Sequence, residues 1–126
     1  MGLRNIQKNL PTLAIDFDGT ICEYTGWKGI FHIGEIKPEA ENTIKELAKE
    51  YVLILHTTRL NSHLTKDIDS CYAQIMSWLV KHDIADCFSI ITGEKPIADI
   101  YIDDRAYRFK NWEETYWEVK DLLKGK

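Results

Sequence analysis

Cysteine is scarce in this sequence, and the few present do not form a framework. Cys22, Cys71 and Cys87 are odd in number and far apart. That excludes a disulfide scaffold and a CxxC metal knuckle, and it suits a reduced compartment. His32, His56, His63 and His82 lack the i, i+4 spacing of a helical zinc site. No apolar run nears the roughly 20 residues that span a bilayer, and the opening residues carry no apolar leader core. Positive charge is not in excess either: 16 Lys and Arg stand against 20 Asp and Glu, a net charge of −4. With both signs mixed along the chain, there is no footprint for duplex nucleic acid or an anionic membrane. The expectation is a cytoplasmic protein with no membrane partner. Its 126 residues make a single domain, 1–126, and its 44% hydrophobic and 29% charged content is ordinary for a globular chain.

What is there centres on Leu13-Ala14-Ile15-Asp16-Phe17-Asp18-Gly19-Thr20. A short apolar run after Pro11 reads as a buried strand, Thr12 to Asp16. It delivers Asp16 and Asp18 one residue apart, on one side of an extended chain. Carboxylates that close repel each other, so a cation is expected between them, most simply a hard divalent metal. Gly19 and Thr20 let the backbone turn away. Taken alone, Asp-Gly also reads as an ordinary strand-end turn.

Along the chain, residues 1–10 form a polar lead-in in which Ile6 and Leu10 touch the body. Ile21 to Gly34 interleaves glycines with Tyr24, Trp27, Ile30, Phe31 and Ile33, which predicts a small flap, about 21–34. Pro38 opens a helix with Ala40, Ile44, Leu47 and Ala48 at helical spacing to about Glu50. Tyr51 to Leu55 is a second strand, leading into His56-Thr57-Thr58-Arg59, and a helix runs from about Thr65 to Lys81. Ile68, Cys71, Tyr72, Ile75 and Leu79 form that helix's core face. Phe88 to Ile91 and Asp99 to Ile102 are further strands, the last followed by Asp103-Asp104. Ala106 to Phe109 reads as a short edge strand. A final helix, about Trp112 to Leu123, carries Trp112, Tyr116, Val119 and Leu123 as a packing stripe. Alternating strands and helices imply a mainly parallel sheet with helices on both faces. Ligands then bind at the carboxyl ends of the strands. Asp16, Asp18, Thr57, Lys95, Asp103 and Asp104 all fall there.

Such a carboxylate cluster suits Mg²⁺. With Lys95 and a Thr57 hydroxyl it would balance a phosphate dianion. Asp16 is then a candidate nucleophile, and Asp18 a candidate general acid and base.

The DFDGT stretch at 16–20, the strand running into Thr57, Lys95 and the strand ending in Asp103-Asp104 resemble, in order and spacing, the four motifs of the haloacid dehalogenase-like (HAD) phosphohydrolases. The phrase KPIADIYIDDRA at 95–106 is similar to small capless members of that family. The resemblance spans about residues 12–110. It implies an α/β fold, a three-layer Rossmann-like core with a small flap and no large cap domain. It implies Mg²⁺-dependent cleavage of a phosphate monoester through an aspartyl-phosphate. Asp16 would be nucleophile and metal ligand, and Asp18 the acid/base, with its backbone carbonyl on the metal. Asp103 would be a direct ligand, and Asp104 direct or acting through water. Thr57, Thr58 and Lys95 are the phosphate-binding candidates. Thr57 is the better match of the two threonines, since it directly follows the apolar run.

Beyond the phosphate, Arg59, Trp27 and Lys28 are candidate substrate contacts, with a salt bridge to a nearby Asp as the other reading of Arg59. The spans before Pro38 and across Leu64 to Lys81 are too short for a cap, so the site is expected to be open, or covered by another subunit of a homo-oligomer. A small sugar or nucleotide phosphate is the first expectation for substrate, and a polynucleotide end the alternative. A receiver-like signalling module combines similar groups but carries its acidic pair on the first strand; here DxD comes first and DD last. A non-catalytic phosphate-binding protein on the same scaffold is a further alternative.

Overall fold

The computed structural model describes residues 9–126. Strand β1 (Thr12–Asp16) is the hub of a four-stranded, wholly parallel sheet. It pairs on one side with β2 (Val52–His56) and on the other with β4 (Ile100–Ile102), while β3 (Ile90–Thr92) adds to the far edge of β2. The order β3-β2-β1-β4 reverses direction at β1. The crevice between the carboxyl ends of β1 and β4 is therefore a topological switch point.

Alternation along the strands decides what covers the sheet. Leu13, Ile15, Phe17, Leu53 and Leu55 point to one face. There they pack with Ile44 and Ala48 of helix α1 (Ala40–Glu50) and with Ile75, Trp78 and Leu79 of helix α2 (Ile68–Lys81). Ala14 and Ile54 are buried on the opposite face.

Several expected boundaries shift for local reasons. Helix α1 begins at Ala40, because the Ala40 amide closes a turn onto the Lys37 carbonyl and leaves Pro38 in that turn. Helix α2 begins at Ile68, where the Asp67 side chain accepts from the Ser70 amide and caps it. Tyr72, expected in its core face, is exposed, and Trp78 takes the core position instead. The third strand starts at Ile90, after a 3₁₀ turn at Ala85–Cys87. Ala106 to Phe109 forms no strand; the Tyr107 hydroxyl donates to Glu118 and ties the segment to helix α3 (Trp112–Leu122).

Helix α3 is the largest departure. Trp112, Tyr116 and Leu123 of the expected packing stripe are all more than half exposed, and α3 buries none of its residues. Among the described residues, then, the helices that pack into the core are α1 and α2 on one face of the sheet. Leu10 of the lead-in is half-buried, whereas Ile6 lies outside the described residues. No helix among the described residues is long and apolar enough to cross a membrane.

Candidate active site

Parallel register brings the acidic residues together. Ile15 pairs with Ile102, so Asp16 at the end of β1 stands beside Asp103 just past the end of β4. One carboxylate oxygen from each of Asp16, Asp103 and Asp104 lies within 4.8 Å of the others. Asp104 is held by Thr20: its amide donates to the Thr20 hydroxyl oxygen at 3.1 Å, and that hydroxyl donates to Asp104 Oδ1 at 3.2 Å. Asp103 Oδ1 accepts from the Arg105 amide at 2.7 Å. Gly19 makes room for this approach. Its φ is +86°, and a Cβ there would sit 2.5 Å from Asp104 Oδ2.

Three carboxylates this close are costly unless something compensates them. Among the described residues none of the three takes part in an ion pair. Burial, helped by the nearby Asp103 charge, pushes the Asp16 carboxyl up to about 6. An all-oxygen set with unbalanced negative charge fits a hard cation such as Mg²⁺ or Ca²⁺ and does not fit a soft one.

Asp18 does not join this cluster through its side chain. The cation that stands beside Asp18 is a guanidinium. Arg59 Nε donates to Asp18 Oδ2 at 2.7 Å and Nη2 to Oδ1 at 2.9 Å, a bidentate pair. The Arg59 side chain is only 5% exposed. It packs over Phe17 and Trp27, with 5.8 Å and 5.0 Å to the ring centroids, and Nη2 also donates to the His32 carbonyl at 3.0 Å. Of the two readings of Arg59, the ion pair with a nearby Asp is the one that forms.

A cavity of about 460 Å³ opens over these groups. Asp16, Asp18 and Asp103 line its floor, with Thr57 and Thr58. Thr57 is buried, and its hydroxyl oxygen accepts from the Arg59 amide at 3.2 Å, which leaves the hydroxyl proton free to donate. Trp27 and Tyr24 of the flap reach the cavity, as do Arg105, Leu64, Thr65 and Cys71. Leu64, Thr65 and Cys71 carry no motif, and only folding brings them in.

Two candidates lie elsewhere. Lys28 is exposed and outside the cavity lining. Lys95 borders a neighbouring cavity that shares His56 and Thr58 with the first, and its Nζ stands 5.0 Å from the centre of the Tyr101 ring. Tyr101 is itself tied down, donating to the Pro96 carbonyl at 2.6 Å.

The flap has no strands of its own beyond a minimal stem. The Glu23 amide donates to the Glu35 carbonyl and the Lys37 amide to the Ile21 carbonyl, around a single bridge between Cys22 and Ile36. At the stem, Gly34 lies so close to the Glu23 carbonyl that any Cβ would collide with it. Trp78 Nε1 donates to the Gly34 carbonyl at 3.2 Å, which anchors the flap to α2. Cys22 is buried beside Asp18. Burial and the Asp18 charge push its thiol up to about 12.

No family model and no curated protein matches this chain. A solved structure, that of a conserved protein coded by a locus from Bacteroides thetaiotaomicron, is similar to it. The two are 29% identical, the match covers 90% of this chain and 93% of that one, and the TM-score is 0.57. The likeness agrees with an α/β, Rossmann-like arrangement around a parallel sheet.

Proposed function

We propose that this protein is a Mg²⁺-dependent phosphohydrolase that cleaves a phosphate monoester through an aspartyl-phosphate on Asp16. The observation that carries the reading is the convergence of Asp16, Asp103 and Asp104 at the switch point, with Asp18, gripped by Arg59, in the cavity that Asp16 and Asp103 also line. The resemblance of the four motifs to the HAD phosphohydrolases supports it.

Asp16, Asp103 and Asp104 would hold the ion, whose contribution when bound is to offset the charge of the phosphate and of the three carboxylates. Asp16 attacks phosphorus, and the bond to the leaving oxygen breaks. Asp18, protonated in the substrate complex while it keeps its hydrogen bonds from Arg59, gives that oxygen a proton. Water then attacks the acyl phosphate, Asp18 takes the proton back from it, and the bond from phosphorus to Asp16 breaks to release inorganic phosphate. The Thr57 and Thr58 hydroxyls hold the phosphoryl oxygens. Lys95, on its flexible four-carbon stem, would join them by turning off Tyr101.

A cavity of this size suits a small phosphorylated metabolite, a sugar or nucleotide phosphate. The test is a panel of phosphorylated metabolites and polynucleotide ends, assayed with Mg²⁺ and after chelation. Hydrolysis of small monoesters that EDTA abolishes and Mg²⁺ restores is the expected result. Activity that survives thorough chelation removes the metal from the account. Release from polynucleotide ends alone overturns the substrate class.

A further inference from the structure

Arg59 touches three things at once: the Asp18 carboxylate, the backbone of the flap at His32 and the ring of Trp27. We propose that Arg59 is a positioning residue that clasps the flap to Asp18, so that docking of the flap and aim of the acid/base are one event. The inference rests on the function proposed above for what Asp18 does, but not for the clasp itself.

A guanidinium presents its donors in a rigid plane. Here both edges of that plane are in use. Nε and Nη2 fix the two oxygens of Asp18, and Nη2 is shared with the His32 carbonyl, 27 residues away in sequence from Arg59. Trp27 covers one face of the guanidinium, and the ring of Phe17, the residue between the two DxD carboxylates, lies within reach as well. Displacing the flap strips Arg59 of its carbonyl partner and its Trp27 cover, exposes the ion pair to water and frees the carboxylate to turn. Closing it over a substrate restores the single orientation.

The backbone beneath Arg59 is equally constrained. Its amide donates to the Thr57 hydroxyl oxygen, and the 3₁₀ turn Thr58–Leu60 carries the side chain. The flap stem at Gly34 is pinned separately by Trp78. What Arg59 governs is therefore the flap's inner span, about residues 24–33, and not its root.

The experiment pairs amide hydrogen exchange with a leaving-group comparison on the full chain, in Arg59→Met and in Arg59→Lys. The second variant keeps the charge and loses the planar fork. Exchange at the His32 amide, which donates to the Gly29 carbonyl, is expected to rise by about tenfold or more in both variants, with Leu13 to Ile15 of β1 unchanged. Unchanged flap exchange overturns the clasp whatever the activity. Activity is then compared on p-nitrophenyl phosphate, whose leaving group needs little protonation, and on an alkyl phosphate, which depends on the acid. If Arg59 aims Asp18, kcat for the alkyl ester falls about tenfold further than kcat for the aryl ester. Equal losses on both esters overturn the aiming role. A parent protein inactive on every ester defeats the proposed function, while the exchange result still decides the clasp. Should Arg59→Met not fold, Arg59→Lys alone decides both points by the same two readouts.

Discussion

Gly19 and Asp104 are in contact across 85 positions of sequence, and the contact exists because Gly19 has no side chain: a Cβ would stand 2.5 Å from Asp104 Oδ2. The position also holds a positive φ of +86°. Gly19→Ala should therefore strain the backbone by about 1–2 kcal/mol and push the Asp104 carboxylate out of the cluster. The expected result is a modest loss of thermal stability with a Mg²⁺ requirement raised about 10–100-fold, as for other supporting contacts at metal sites. Mg²⁺ titration of activity checks it. An unchanged requirement would remove Asp104 from the ion's surroundings.

The Asp16 carboxyl, lifted to about 6 from an ordinary 3.8, links metal binding to pH. Folding favours its protonated form. In the absence of metal its contribution to stability is fully present below about 3.8 and is lost as pH rises through about 6. A bound cation reverses the preference, since it requires the carboxylate. Mg²⁺ should thus raise the melting temperature at about pH 7.5 and have little effect at about pH 5, as read by thermal shift. Equal stabilisation at both would contradict a carboxylate that binds metal and proton in competition.

Much of this site is legible in one dimension because β1 and β4 are short, apolar and adjacent to their carboxylates. Once the strands are found, parallel register carries Asp16 to Asp103. The bond from Arg59 to Asp18 is not legible in that way. It joins residues 41 apart through side chains, and two candidate roles for Arg59 stay open until the 3₁₀ turn at Thr58–Leu60 aims it. The direction of the Lys95 side chain is a similar case: sequence order sets its loop, whereas its direction depends on Tyr101. The Trp112, Tyr116 and Leu123 stripe has helical spacing and does form a helix, but spacing says only that a face exists, not that anything covers it.

Substrate choice should depend on Trp27, which walls the cavity, and not on Lys28, which lies outside it. Trp27→Ala is expected to reorder a panel of phosphate esters while leaving the Mg²⁺ requirement unchanged. Lys28→Ala should leave the ranking as it is. A reordering by Lys28→Ala would show that the flap closes further over substrate than this geometry has it.

Asp18→Asn keeps the shape of the residue but ends proton transfer, and it leaves the buried Arg59 without its charged partner. The expected loss is on the order of 10²–10⁴ in kcat, with a further cost in stability of about 3–5 kcal/mol for breaking a buried pair. In the double variant Asp18→Asn, Arg59→Met the stability should partly return while the activity does not. Recovery of both would mean that Asp18 is a structural partner only.

The central claim is that phosphorus is transferred to Asp16. Rapid mixing with a ³²P-labelled ester and Mg²⁺, acid quench and peptide mapping test it directly. The account predicts acid-stable, hydroxylamine-labile label on the peptide bearing Asp16, and none on the Asp16→Asn protein. Turnover with no labelled protein, or label that persists in Asp16→Asn, would contradict it.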